Sequence, residues 1–227
     1  TGLARGSEPL YRVVPTKGDS YVVNESHILS LKTTGTNEIT NISVRDYLGE
    51  GATFRHCTKG WRTGVDFLEP AEALPISAYF LGVWLGDGNS ENSLICTGDE
   101  EIIQALQEYA DELGLSVRRD KNGASLSSFM ISICQPGGTK FRHPLREALR
   151  RYNLIRNKHI PHAFKTASRA DRLQLLAGII DTDGSYGGGR FDLTLKSERL
   201  MDDVIFVARS LGFAAYKADS EKTCHNN

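Results

Sequence analysis

A nine-residue segment occurs twice in this chain, about 96 positions apart, and the repetition constrains the fold more than any other feature. The first copy reads Phe80-Leu81-Gly82-Val83-Trp84-Leu85-Gly86-Asp87-Gly88, the second Leu176-Ala177-Gly178-Ile179-Ile180-Asp181-Thr182-Asp183-Gly184. Each is an apolar helix ending in Asp-Gly, and Pro75 with Ser77 close behind predicts the start of the first. After each copy come a polar turn, a candidate strand (93–96; 190–195) and an amphipathic helix (100–113; 198–211) closed by Gly114 or Gly212. Between the copies lie strands at 116–119 and 129–134, a helix over 144–152 and a link through Pro161. An α+β half present twice is the economical reading, with half-repeats at about 75–170 and 171–227.

Gly82 and Gly86 are four apart and share one helical face; Gly178 and Thr182 repeat that spacing. Small residues there form a helix interface at which two backbones approach closely. Two such helices side by side bring Asp87 and Asp183 together at a shared C-terminal end. Packing alone opposes this, because the carboxylates repel and each helix macrodipole turns its negative end to them. Divalent cations between them remove the conflict, which makes the two aspartates candidate metal ligands. Either Asp-Gly taken singly reads better as an ordinary helix exit with a solvated aspartate; their coincidence in two copies favours the metal site.

The 27 Lys+Arg and 28 Asp+Glu leave a net charge of -1, which excludes a uniformly basic nucleic-acid binder. The charges are nevertheless uneven: residues 71–115 hold 9 acids and no base, residues 116–170 hold 12 bases and 2 acids. That layout suits an enzyme that grips a polyanion with one surface and holds metal with carboxylates elsewhere; chance clustering on a solvated surface is the alternative. Cys57, Cys96, Cys134 and Cys224 form no CxxC pair and no signal peptide precedes them. The expectation is reduced thiols in an intracellular setting, cytoplasm or nucleus, with neither a disulfide framework nor a zinc site. The apolar stretch near Leu175 is far short of the roughly 20 residues that span a bilayer, so no membrane partner is expected.

At the repeated segments the chain resembles the LAGLIDADG homing endonucleases: residues 176–184 read LAGIIDTDG and residues 80–88, more loosely, FLGVWLGDG. Over about residues 75–217 the resemblance implies a pseudo-twofold duplicated αββαββα fold. The two motif helices would form the interface between halves, over a saddle of strands that binds a long asymmetric site on double-stranded DNA as a monomer. It further implies that Asp87 and Asp183 are catalytic ligands of Mg²⁺, with Mn²⁺ able to substitute and Ca²⁺ able to bind without supporting cleavage. Asp181 matches an earlier acid of the motif, but its first-copy counterpart is Leu85. Lys158 resembles the family's basic residue near the cleavage centre, where it would polarise a water or stabilise developing charge; a surface lysine in a basic stretch is the alternative. His159 and His162 read as helix-start or surface residues. The chemistry agrees independently, since phosphodiester hydrolysis needs a neutralised phosphate, an activated water and a stabilised leaving oxygen, all within reach of carboxylate-held Mg²⁺. Candidate DNA contacts are Arg118, Arg119, Lys121, Lys140, Arg142, Arg146, Arg150 and Arg151 in the first half and Arg190 and Lys196 in the second. Ser125, Ser127 and Ser128 are weaker candidates.

Before the repeat, residues 10–14 and 21–23 read as strands about a turn at 17–20, residues 28–31 as a third strand, and residues 44–48 as a helical turn; residues 49–60 have no clear period. A boundary is expected at 67–75. Gly6 to Val13 with Tyr21 to Leu31 resembles part of an all-β intein splicing domain of the Hint type, Asn24 to His27 matching its Thr-x-x-His block with Asn in place of Thr. That resemblance implies that His27 assists the initial acyl shift; a strand-end histidine bonded to the backbone is the alternative. The domains expected are 1–70, a partial splicing domain and linker, and 71–227, an endonuclease domain with a truncated second half. The chain opens at Thr1 without a nucleophile segment, and Cys224-His225-Asn226-Asn227 follows Phe213 too closely to be a terminal splicing block. It therefore reads as a fragment or one of a complementing pair, its partners being missing intein segments or host-protein flanks, with no splicing of its own.

The function expected is that of a site-specific, Mg²⁺-dependent double-strand DNA endonuclease of an intein. The alternative is a nuclease-inactive or maturase-like nucleic-acid-binding module of the same fold.

Overall fold

Leu29 and Leu31 alternate into the interior from one strand, and around them forms the first of two compact units of the computed structural model, Thr1–Thr63 and Gly64–Asn227. The structure describes residues 6–68, 72–120, 129–134 and 143–219. In the first unit β1 (Leu10–Val13) and β2 (Tyr21–Asn24) form an antiparallel pair. The turn between them uses Gly18 at φ 98°, a conformation that costs glycine nothing. β3 (Ile28–Thr33) lies between β4 (Ile39–Ser43) and β5 (Thr58–Gly60) in a second sheet. Two six-residue helices, α1 (Val44–Gly49) and α2 (Ala52–Cys57), connect β4 to β5. α2 and β5 occupy the stretch without visible period because elements this short complete fewer than two turns or two alternations.

The second unit is built on α3 (Ala78–Asp87), which is buried from Phe80 to Leu85. A helix apolar on all sides needs neighbours on all sides. It begins at the Ser77 cap, whose hydroxyl accepts from the Phe80 amide, rather than at Pro75. β6 (Ile95–Thr97), α4 (Glu100–Glu112), β7 (Ser116–Asp120), β8 (Phe129–Cys134) and α5 (Pro144–Arg151) follow. The strands form an antiparallel sheet in the order β6-β8-β7, with Ile95, Ile131 and Ile133 turned to the core.

The chain then passes through α6 (His162–Lys165) into α7 (Arg169–Asp183), a hairpin of β9 (Gly184–Gly187) and β10 (Arg190–Leu193), and α8 (Glu198–Ser210). The sequence places no strand at β9, whose glycines and polar residues read as a turn; Gly188 and Gly189, both at positive φ, supply that turn one step later. α4 and α8 end alike. Gly114 (φ 65°) and Gly212 (φ 94°) reverse the chain, and the Leu115 and Phe213 amides reach back to Ala110 O and Ala208 O.

The boundary between units falls at Thr63, ahead of the expected 67–75, because the next residues are fastened to the second unit. The Val65 amide donates to Ser210 O at 2.7 Å, and Phe67 stacks on Phe206 at 6.4 Å. Arg172, fully buried, donates to Val65 O at 2.6 Å. Among the described residues no helix is long and apolar enough to cross a membrane, and Cys57, Cys96 and Cys134 form no disulfide.

Candidate active site

α3 and α7 lie parallel and close because glycines remove side chains from the contact. A Cβ on Gly82 would stand 2.3 Å from Leu175 O, and one on Gly178 2.5 Å from Tyr79 O. One turn on, a Cβ on Gly86 would strike the Thr182 side chain, and Asp183 Oδ2 would lie 3.3 Å from it. Thr182 Oγ1 donates back into its own helix, to Gly178 O and Ile179 O. The paired helices thus deliver Asp87 and Asp183, the last residue of each, to one place.

The electrostatics record that convergence. Burial, then the Asp183 carboxylate, pushes the Asp87 carboxyl up to about 6 against the pull of Lys158. Burial raises Asp183 as well, again opposed by Lys158. The Lys158 ammonium is itself driven down by burial, while Asp183 and Asp87 hold it up. Its Nζ donates to Leu85 O and Gly86 O, both at 3.0 Å, and lies 5.2 Å from the centre of the Trp84 ring. Lys158 therefore caps the last carbonyls of α3, the negative end of that helix dipole. Asp181 stands apart from this centre and accepts from Tyr79 Oη at 2.9 Å.

Two converging carboxylates suit a hard divalent ion. Mg²⁺ is commonly held by one or two carboxylates, with waters and substrate phosphates completing its shell. Asp87 and Asp183 supply two such carboxylates; among the described residues no cluster of three or more His, Cys, Asp and Glu side chains assembles.

The basic candidates divide. Arg118 lies opposite Ser132 on the sheet face away from Ile131 and Ile133, and is exposed. Arg119, opposite Ile131, turns to the helix-covered side, where it pairs with Glu100 at 2.8 Å and lies over the Phe129 ring. Arg146 and Arg150 are exposed on α5, while Arg151 is 3.6 Å from Glu72. Arg190 is exposed on β10 with both Asp192 oxygens at 3.2 Å, and Lys196 is exposed before α8. Lys121, Lys140 and Arg142, with Ser125, Ser127 and Ser128, lie outside the described residues. His159 is buried, its Nδ1 2.7 Å from Asn157 O, and His162 opens α6. In the first unit His27 is exposed between β2 and β3; its amide donates to Asn24 O and its carbonyl accepts from the Val44 amide.

Sequence reasoning passed over Trp84 as a platform for Lys158, and Asp203. The signal for Asp203 was present: an acid on the α8 face that also carries Leu200, Val204 and Val207.

A homing endonuclease family model matches residues 159–227. The chain is 32% identical over 145 residues, 63% of its length, to the replicative DNA helicase DnaB of Mycobacterium intracellulare. It is 26% identical over 123 residues, 52% of its length, to a DNA polymerase of Thermococcus litoralis. It spans only 20% of the helicase and 6% of the polymerase. A solved structure of mesophilic variants of the homing endonuclease I-DmoI is similar over 61% of this chain and 77% of that one, at 17% identity and a TM-score of 0.44. Residues 159–227, which carry the second motif helix and Asp183, are thus similar to the homing endonuclease family.

Proposed function

We propose that the chain is the site-specific double-strand DNA endonuclease of an intein, hydrolysing phosphodiester bonds where Asp87 and Asp183 meet. The observation that carries the reading is the delivery of both aspartates, with Lys158 beside them, to the C-terminal ends of two parallel helices. The repulsion stored there serves no packing purpose, and cation binding relieves it. A divalent ion held by Asp87 and Asp183 would supply Lewis-acid stabilisation of the phosphate and lower the pKa of a bound water. Lys158 contributes a positive charge beside the reacting phosphate, stabilising charge as it develops in the transition state. Arg118 on the open sheet face and Arg146 and Arg150 on α5 supply the electrostatic grip on the backbone. The intein context is favoured by relatives named for two different enzymes, a helicase and a polymerase, each matched over a small share of its length. Residues 1–63 are then part of the splicing domain, with His27 in its turn.

The test is incubation with a plasmid library of random inserts and Mg²⁺, mapping double-strand ends by sequencing. The native chain is expected to cut at one long site. Asp87→Ala and Asp183→Ala are expected to lose cutting by at least ~10³-fold and to keep binding that site with Ca²⁺ present. Unchanged cutting in either variant would refute the assignment, and binding without cutting by the native chain would favour the inactive nucleic-acid-binding module.

A further inference from the structure

We propose that Asp203 of α8 is a positioning residue of the cleavage centre, fixing from the second half-repeat the loop that carries Lys158; the inference rests on the nuclease reading only for its effect on rate. Asp203 is 8% exposed and occupies a core position of α8, between Leu200 and Val204. A buried carboxylate is costly unless it is paired and hydrogen-bonded. Both oxygens are engaged: Oδ2 accepts from the Ile160 amide at 2.9 Å, and Oδ1 pairs with Lys165 Nζ at 2.7 Å. Ile160 is two residues beyond Lys158, so the bond pins the backbone just after the lysine.

The other end of the loop is tied to the first half-repeat. The Arg156 amide donates to Ser90 O at 2.6 Å, its guanidinium pairs with Glu91 at 2.6 Å, and its φ is 57°, a left-handed conformation disfavoured outside glycine. Ser90 and Glu91 follow α3 directly, and Asn157 receives a further bond from Arg199 of α8 at 3.2 Å. Lys158 is thus slung between an anchor behind α3 and an anchor on α8, with its amine at the carbonyls of Leu85 and Gly86.

The duplication supplies the comparison that separates this role from ordinary packing. Aligning α4 with α8 by their helix starts, Glu100 with Glu198, puts Ala105 at the position of Asp203. The equivalent helix therefore packs with a small apolar residue there. The acid appears only in the half whose helix meets the Lys158 loop.

The experiment uses the full chain with Asp203→Ala and Asp203→Asn. The first readout is acetylation of Lys158 by limiting acetic anhydride, mapped by mass spectrometry against other lysines, which needs no nuclease activity. Asp203→Ala is expected to raise Lys158 labelling about tenfold, since a residue freed from two carbonyls opens to reagent. Asp203→Asn, which keeps an acceptor for the Ile160 amide, is expected to stay within about threefold of the native chain. The second readout is cleavage at saturating DNA, expected to fall about 10²-fold in Asp203→Ala with DNA affinity within about twofold. Native Lys158 protection in a folded Asp203→Ala would overturn the proposal, as would equal labelling in the Ala and Asn variants. If Asp203→Ala does not fold, Asp203→Leu decides, since it fills the volume and removes the acceptor: Lys158 labelling raised about tenfold supports the proposal, and native protection overturns it. Altered labelling with unchanged cleavage would uphold Asp203 as the anchor and overturn instead the role given to Lys158.

Discussion

Asp87 is an acid whose surroundings oppose its charge. Its folded-state value, about 6, lies above the ordinary 3.8, so the group favours folding while protonated. That contribution is full below pH 3.8 and is lost as pH rises through about 6. Asp87→Asn is therefore expected to stabilise the protein near pH 7 and to flatten the decline between pH 4 and pH 6. The shift alone corresponds to about 3 kcal/mol, but partial exposure screens the repulsion, and about 1 kcal/mol is the gain expected in denaturant melts. Ca²⁺ at about 10 mM is expected to raise Tm of the native chain above pH 6 and to leave that of Asp87→Asn unmoved; an equal rise in both would place the ion elsewhere. That Asp87 and Asp183 would meet was legible in the sequence because each ends a helix that repeats. Lys158 was legible only by resemblance, since 73 residues separate it from Leu85 and no local spacing encodes that meeting.

The α3 and α7 pair turns glycine spacing into a close contact between backbones. At Gly82 the clash would be with the Leu175 carbonyl at 2.3 Å and Gly178 Cα at 3.0 Å, neither of which can rotate away. Gly82→Ala is expected to push the helices apart and to cost about 1–3 kcal/mol in urea unfolding, with cleavage falling further than stability because Asp87 and Asp183 separate. On β7, period-two alternation divides two adjacent arginines that composition treats alike. Arg118 faces outward from the sheet, whereas Arg119 returns to Glu100. Arg118→Ala is expected to lower DNA affinity and reduce the slope of log K against log salt by about 0.9, and Arg119→Ala to leave that slope unchanged. Titrations at three or four salt concentrations would decide it, a flat response to Arg118→Ala counting against the sheet as the DNA face. The sequence pattern located β7 and β8 of this sheet; it missed β9, where two glycines and a serine outweigh Tyr186 in the pattern and pairing with β10 completes the strand.

For the whole molecule, one buried side chain sets where the second unit begins. Arg172 donates to Ala167 O, to Ser210 O and Oγ, and to Val65 O, with its guanidinium 4.8 Å from the Phe67 ring. Arg172→Met keeps the volume and loses those bonds. It is expected to cost about 3 kcal/mol and to open residues 64–68 to limited proteolysis, and an unchanged digestion pattern would show that Phe67 holds the segment unaided. By itself the sequence determined what local rules carry: the mixed helices and strands, the helix periods and caps, and an aspartate as the last residue of each motif helix. Tertiary structure alone decided that the Lys158 amine rests on the Leu85 and Gly86 carbonyls, that Arg119 is drawn off to Glu100, and that Asp203 and Arg172 tie distant loops down. The physical reason is range. Helix and strand patterns repeat within a few residues, whereas a buried ion or hydrogen bond is chosen by whichever groups the packed core brings within about 3 Å, however far apart they stand in the chain.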